Sequence, residues 1–154
     1  SNEPSGNHIK ALAAKDGITA IKIKSDRMLL AYGFLRQIFE VFERHKISID
    51  MITTSEVAVS LTIDDERDIT ELIEELGLYG KVEVDVNQTI VCIVGHMLQA
   101  ESGHAAKIFN SLKDITLRMI SYGGSKNNVS ILIDSEYKVQ ALKALNQGLF
   151  DLEE

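Results

Sequence analysis

A chain of 154 residues, 45% apolar and 25% charged, has room for one ordinary domain or two small ones around a real core. Sixteen basic residues against 23 acidic ones leave a net charge of −7, which argues against nucleic-acid backbones and anionic membranes as main partners. The single cysteine, Cys92, excludes an intrachain disulfide and a Cys-rich zinc site, and no apolar run approaches the ~20 residues that span a bilayer.

The polar stretch 1–7 holds the only proline, Pro4, and reads as a disordered leader without signal-peptide character. The default compartment is then the cytoplasm. Residues 8–16, around Ile9-Lys10-Ala11-Leu12-Ala13-Ala14, form a short strand. Residues 18–24 alternate and are β-branched, a second strand. Residues 33–45 place apolar side chains at i, i+3, i+4 and i+7, which predicts a helix with one buried face. Strands follow at 47–52 and 57–63, joined by Thr53-Thr54-Ser55-Glu56. A helix over 65–77 buries Ile69, Leu72, Ile73 and Leu76, with Asp64 or Asp65 as its cap and Gly77 and Gly80 at its end. Residues 81–87 alternate strictly, as a strand does.

The chain then repeats itself at an offset of about 70. Thr19 to Lys24 matches Thr89 to Val94, and Gly33 matches Gly103. Ile38, Phe39 and Phe42 match Ile108, Phe109 and Leu112. Ile47 to Ile52 matches Ile115 to Ile120 after a two-residue slip, and Val59 to Asp64 matches Val129 to Asp134. Each unit therefore reads βαββαβ, a ferredoxin-like arrangement within the α+β class. The second unit, 89–150, ends with a helix over 136–147 and lacks a fourth strand. The unassigned strand 8–16 is expected to supply it, because an open sheet edge is a liability. The first unit covers 17–88, and 151–154 is a tail.

Enzyme chemistry finds little support. Tyr122-Gly123-Gly124-Ser125-Lys126 has the wrong register for a phosphate loop and reads as a hairpin turn. Cys92 and His96 are spread over about 13 Å of strand, with His104 beyond, too far for one metal ion, and Cys92 is expected in the core. His45 ends a helix, where a cation suits the dipole. The acidic residues between Asp64 and Glu75 lack calcium-loop spacing and read as a solvated helix face. No catalytic or metal-binding constellation emerges. A ligand site is better placed at the first strand–helix junction, Met28 to Leu35. There Gly33 admits close approach, and the first-turn amides favour a carboxylate. Nearby, Ser48 and Asp50 alternate with Ile47, Ile49 and Met51 and share one side of the strand. Asp50 there is either a plain solvent-facing carboxylate or a counter-charge for a ligand ammonium, the second pointing to a free amino acid, a basic one by charge. In the second unit Thr116 and Arg118 take the places of Ser48 and Asp50, so the same ligand should not bind there in the same way.

These residues resemble a known family. The segments Arg27-Met28-Leu29, Gly33-Phe34-Leu35 and Phe42 to Val57, with Arg118 to Gly123 and Leu149-Phe150, are similar to the paired ACT domains at the C-terminus of aspartokinase. The lysine-sensitive type is the nearest match, over about residues 8–151. The resemblance implies a regulatory fragment that is not itself an enzyme and carries no cofactor. Its parent kinase domain would phosphorylate aspartate using ATP and Mg. The resemblance also implies feedback inhibition by lysine, bound where first units of two subunits pair as a homodimer. Carried over by position, Met28, Gly33, Phe34 and Leu35 supply backbone contacts. Ser48 and Ile49 contact the ligand, Asp50 meets its ε-ammonium, and Thr54, Ser55 and Glu56 lie in the feedback-sensitive stretch. Leu30 and Ala31 replace a histidine–serine pair common in the enterobacterial form, a lost hydroxyl bond of roughly 0.5–1.5 kcal/mol. The alternative is a stand-alone ACT amino-acid sensor acting on another partner. An RNA-binding βαββαβ module would need aromatic central strands and a basic face, and has neither.

Overall fold

The computed structural model describes residues 9–25, 32–96 and 102–150. In chain order these form β1 (Ile9–Lys24), α1 (Phe34–Arg44), β2 (Ile52–Thr54), β3 (Ala58–Ile63), α2 (Thr70–Leu76), β4 (Lys81–Gly95), α3 (His104–Ser111), β5 (Met119–Ser121), β6 (Asn128–Asp134), a 3-10 turn at Ser135–Tyr137, and α4 (Lys138–Phe150). Tertiary contacts divide the chain into Gly17–Gln88 and a second unit made of Ser1–Asp16 with Thr89–Glu154.

Two strands are longer than the sequence pattern indicates. Residues 9–24 form one strand where two were expected, and 81–95 likewise. Each strand passes from one unit to the other midway. The irregularities that make the pattern look broken are Gly17 and Asn87, with φ of 74° and 58°. Glycine adopts that left-handed conformation freely and asparagine tolerates it.

In the unit Gly17–Gln88 the strand order is β2-β3-β1-β4. β3 runs antiparallel to β1, with Thr19 opposite Ile63 and Lys24 opposite Ala58, and antiparallel to β2, with Thr54 opposite Val59. Ile21, Ile23, Val59 and Leu61 from the sheet pack against Phe34, Ile38, Phe42, Leu72 and Leu76 from the helices. Glu75 ties the far end of α1 to α2, bonding His45 Nε2 at 2.8 Å and pairing with Arg44. The second helix is shorter than the expected 65–77. Asp65 accepts the Arg67 amide and guanidinium, and Asp68, rather than Asp64 or Asp65, accepts the Thr70 amide at 3.0 Å. These local side-chain bonds compete with helix formation until Thr70.

In the other unit the order is β1-β4-β6-β5, so the N-terminal half of β1 is its fourth strand. Ile9 is buried there with Val91, Ile93, Ile108, Ile131 and Leu145. A polar chain fastens the strand end: Lys138 Nζ donates to Asp16 at 2.8 Å, Thr89 Oγ1 donates to Asp16 at 2.9 Å, and Thr89 meets Ser135 Oγ at 2.7 Å. α4 runs on to Phe150, past the expected end at 147. Cys92 is half-buried rather than enclosed.

Candidate functional site

Two segments of the unit Gly17–Gln88 that carry candidate residues meet at one end of its sheet. The amide after β1, Ser25 N–H, donates to Val57 O at 2.8 Å, and Ser55 N–H donates to Ala58 O at 2.9 Å. The β2–β3 hairpin and the chain leaving β1 for α1 therefore share that end. Thr54, Ser55 and Glu56 are exposed on the hairpin. Gly33 precedes α1 with φ 84°; no side chain caps this helix and its first turn holds no acidic residue. The first-turn amides, with their partial positive charge, remain suited to a carboxylate. Phe34 is buried and Leu35 packs partly against the core, which anchors that turn. Met28, with Leu30 and Ala31, lies outside the described residues.

Ser48, Ile49 and Asp50 lie farther along the sheet. Ile47 and Met51 are buried, Ile49 is half-buried, and Ser48 and Asp50 are exposed, so the alternation holds. The segment is nevertheless not the regular strand expected over 47–52. Asp50 N–H donates to Thr62 O at 2.8 Å, Thr62 N–H donates to Met51 O at 3.0 Å, and Met51 N–H donates to Thr62 Oγ1 at 2.8 Å. Asp50 and Met51 thus share one opposing residue, as in a β-bulge, and the ladder proper starts at Ile52. Thr62 stands opposite Ala20, three rungs from Ile23 at the hairpin level. Asp50 is therefore about 10 Å along the strand from the hairpin.

Thr62 is the residue of the candidate site that sequence reasoning missed. It is fully buried, and its hydroxyl accepts the amide that the bulge removes from the ladder. The available signal was the repeat itself, where Leu132 stands for Thr62. In the second unit Arg118 N–H donates to Leu132 O at the same 2.8 Å, and Gly103 (φ 97°) precedes α3 as Gly33 precedes α1. The backbone plan is kept, while the charge at Asp50 and the hydroxyl at Thr62 are replaced. Among the described residues no group of three or more His, Cys, Asp or Glu side chains could hold a metal.

A family profile described as the ACT domain matches residues 21–69 and 91–149. The chain belongs to the ACT-domain family. Within it the likeness is to aspartokinase regulatory regions. A chain from Porphyromonas gingivalis W83, assigned as a C-terminal regulatory domain of aspartate kinase, is 49% identical with a TM-score of 0.83, covering 93% of this chain and 99% of that one. Lysine-sensitive aspartokinase 3 of Escherichia coli K12 is 35% identical over 92% of this chain and 33% of its own length. The structure of E. coli aspartokinase III with lysine and aspartate, in the T-state, has a TM-score of 0.84 at 33% identity, over 97% of this chain and 35% of that one. The ACT pair thus spans about a third of the curated relative's length and corresponds to the regulatory portion of aspartokinases, a region that binds allosteric effectors.

Proposed function

We propose that this ACT pair is the lysine sensor of an aspartokinase. The observation that carries the reading is the spacing of opposite charges in the unit Gly17–Gln88. The α1 N-terminus suits an α-carboxylate, and Asp50 presents a carboxylate about 10 Å along the strand from the hairpin. A ligand that meets both must be long and end in a cation, which fits the four-carbon stem and ammonium of lysine better than threonine or methionine. The lysine-bound T-state of the E. coli relative supports the same choice.

Met28, Gly33, Phe34 and Leu35 would hold the amino-acid head. Ser48, Ile49 and Asp50 would hold the side chain, and Thr54, Ser55 and Glu56 would close the hairpin side. The first units of two copies would pair across the β2 edge as a homodimer, with lysine favouring one arrangement. A ligand shifts such an equilibrium only by its differential affinity for the two states. The kinase portion of the parent protein, using ATP and Mg to phosphorylate aspartate in the cytoplasm, would be held in its low-activity state. No helix among the described residues is long and apolar enough to cross a membrane.

Calorimetric titration with lysine, threonine, methionine and arginine tests this. Lysine should bind most tightly, and Asp50→Ala should weaken it by about 2–5 kcal/mol, the range for truncating one partner of a charge pair that becomes buried, here between the ligand and the paired copy. Unchanged lysine affinity in that variant would remove Asp50 from the site.

A further inference from the structure

The passage from α1 into the Asp50 segment is held at one peptide unit from both sides. At the end of α1, His45 N–H donates to Val41 O at 3.2 Å and Lys46 N–H donates to Glu43 O at 3.0 Å. The chain then reverses through Lys46, with φ 56°. The side chain at position 46 does nothing to favour that left-handed conformation, so the surroundings must hold it. The peptide unit Lys46–Ile47 carries both anchors. Ile47 N–H donates to Phe42 O at 3.0 Å, and Arg67 Nη2 donates to Lys46 O at 2.7 Å. Arg67 is preset for this contact. Its Nε and Nη2 donate to the Asp65 carboxylate at 2.9 and 2.6 Å, and its backbone amide donates to the same group at 2.9 Å. A planar guanidinium gripped along one edge loses little further freedom when it meets a carbonyl.

With that peptide fixed, Ile47 enters the core while Ser48 and Asp50 face outward. Thr62 holds the far end at Asp50 and Met51. The run from Ile47 to Met51 is therefore held at both ends. The other unit is an internal control. There Arg118 takes the place of Asp50, and none of the described residues between α3 and β5 has a positive φ. Ile115 N–H turns back to Leu112 O, and at the repeat offset of about 70 Tyr137 takes the place of Arg67. The arginine hold and the carboxylate occur together in one unit and are replaced together in the other.

We propose that Arg67 is a positioning residue for the effector: it fixes the peptide that launches the Asp50 segment, and so sets where Asp50 meets the ligand cation without touching the ligand. This inference rests on the effector reading above. A direct field effect would have the opposite sign, because removing a cation from the neighbourhood should favour a cationic ligand.

Calorimetric titration of the whole chain with lysine and with norleucine, which has the same carbon stem and no ε-ammonium, tests this. Arg67→Ala should raise the lysine Kd about three- to tenfold, the scale of one hydrogen bond, and leave the norleucine Kd within about twofold. A merely structural role would raise both alike, and that result overturns the inference. Joined to Asp50→Ala, Arg67→Ala should add no further loss of lysine affinity, because it acts through Asp50; additive losses overturn the inference. So does a lysine Kd for Arg67→Ala within about twofold of the native value. If Arg67→Ala does not fold, Arg67→Lys, which keeps the charge without the fork, is read by the same measures. A native chain that binds lysine no more tightly than norleucine overturns the effector reading, and this inference falls with it.

Discussion

Asp65 shows how one local contact sets a measurable property. The Arg67 guanidinium, and then the Arg67 backbone amide, hold its carboxyl at about 2. The same guanidinium donates to Lys46 O at 2.7 Å, so the pair also steadies the turn after α1, where Lys46 has φ 56°. The folded value lies below the ordinary ~3.9 of an unfolded aspartate. The contribution to stability is therefore fully present above about pH 4 and disappears as pH falls toward about 2. A carbon-detected titration should find Asp65 near 2 in the native chain, and Arg67→Ala should return it toward its ordinary value. At this scale the sequence was partly legible. The alternation of Ser48 and Asp50 with apolar neighbours could be read from period two. The role of Thr62 could not, because a hydroxyl meeting an amide across two strands leaves no trace in local pattern.

The bulge at Asp50 and Met51 is an element-scale device, and Thr62 is what holds it. Thr62→Val would keep the volume and bury the Met51 amide without its side-chain acceptor, a cost of about 1–3 kcal/mol. Denaturant unfolding should show that loss. Thr62→Ser should recover most of it, and the lysine affinity of the valine variant should fall because Asp50 rides on the bulge. The helices were readable from their apolar spacing, and the order of elements followed from the repeat. Boundaries failed where side chains or backbone broke the pattern for local reasons. The expected strand 47–52 was shortened by the bulge. The start of α2 was delayed by Asp65 and Asp68 bonding their own neighbours. β1 and β4 looked like two strands each because Gly17 and Asn87 interrupt the alternation that continues on either side.

At the scale of the whole chain, the decisive feature is that each unit's sheet is completed by a strand shared with the other. The expectation that an N-terminal strand completes the second ACT unit is met by Ile9–Asp16 beside β4. Deleting residues 9–16 would expose the edge of β4 and abolish the Asp16 bonds to Lys138 and Thr89. Burial of Ile9 alone is worth about 1.5–3 kcal/mol. Scanning calorimetry should show the unit Thr89–Glu154 melting well below its native position, and a synthetic peptide of residues 9–16 should restore it. An unchanged transition would show that the borrowed strand is dispensable.

That borrowed strand also sets a timetable. During synthesis Ile9–Asp16 leaves the ribosome before its partners in β4 and α4, which follow only after all of Gly17–Gln88 has emerged. At roughly 5–20 residues per second, the segment waits for seconds with its hydrogen-bonding edge unmet. Its composition suits that wait: Lys10 and Lys15 flank a run rich in alanine rather than in large apolar side chains, which lowers its tendency to pair with the wrong chain. The unit Gly17–Gln88 can therefore close on itself while the helix α4 of the other unit is still being made.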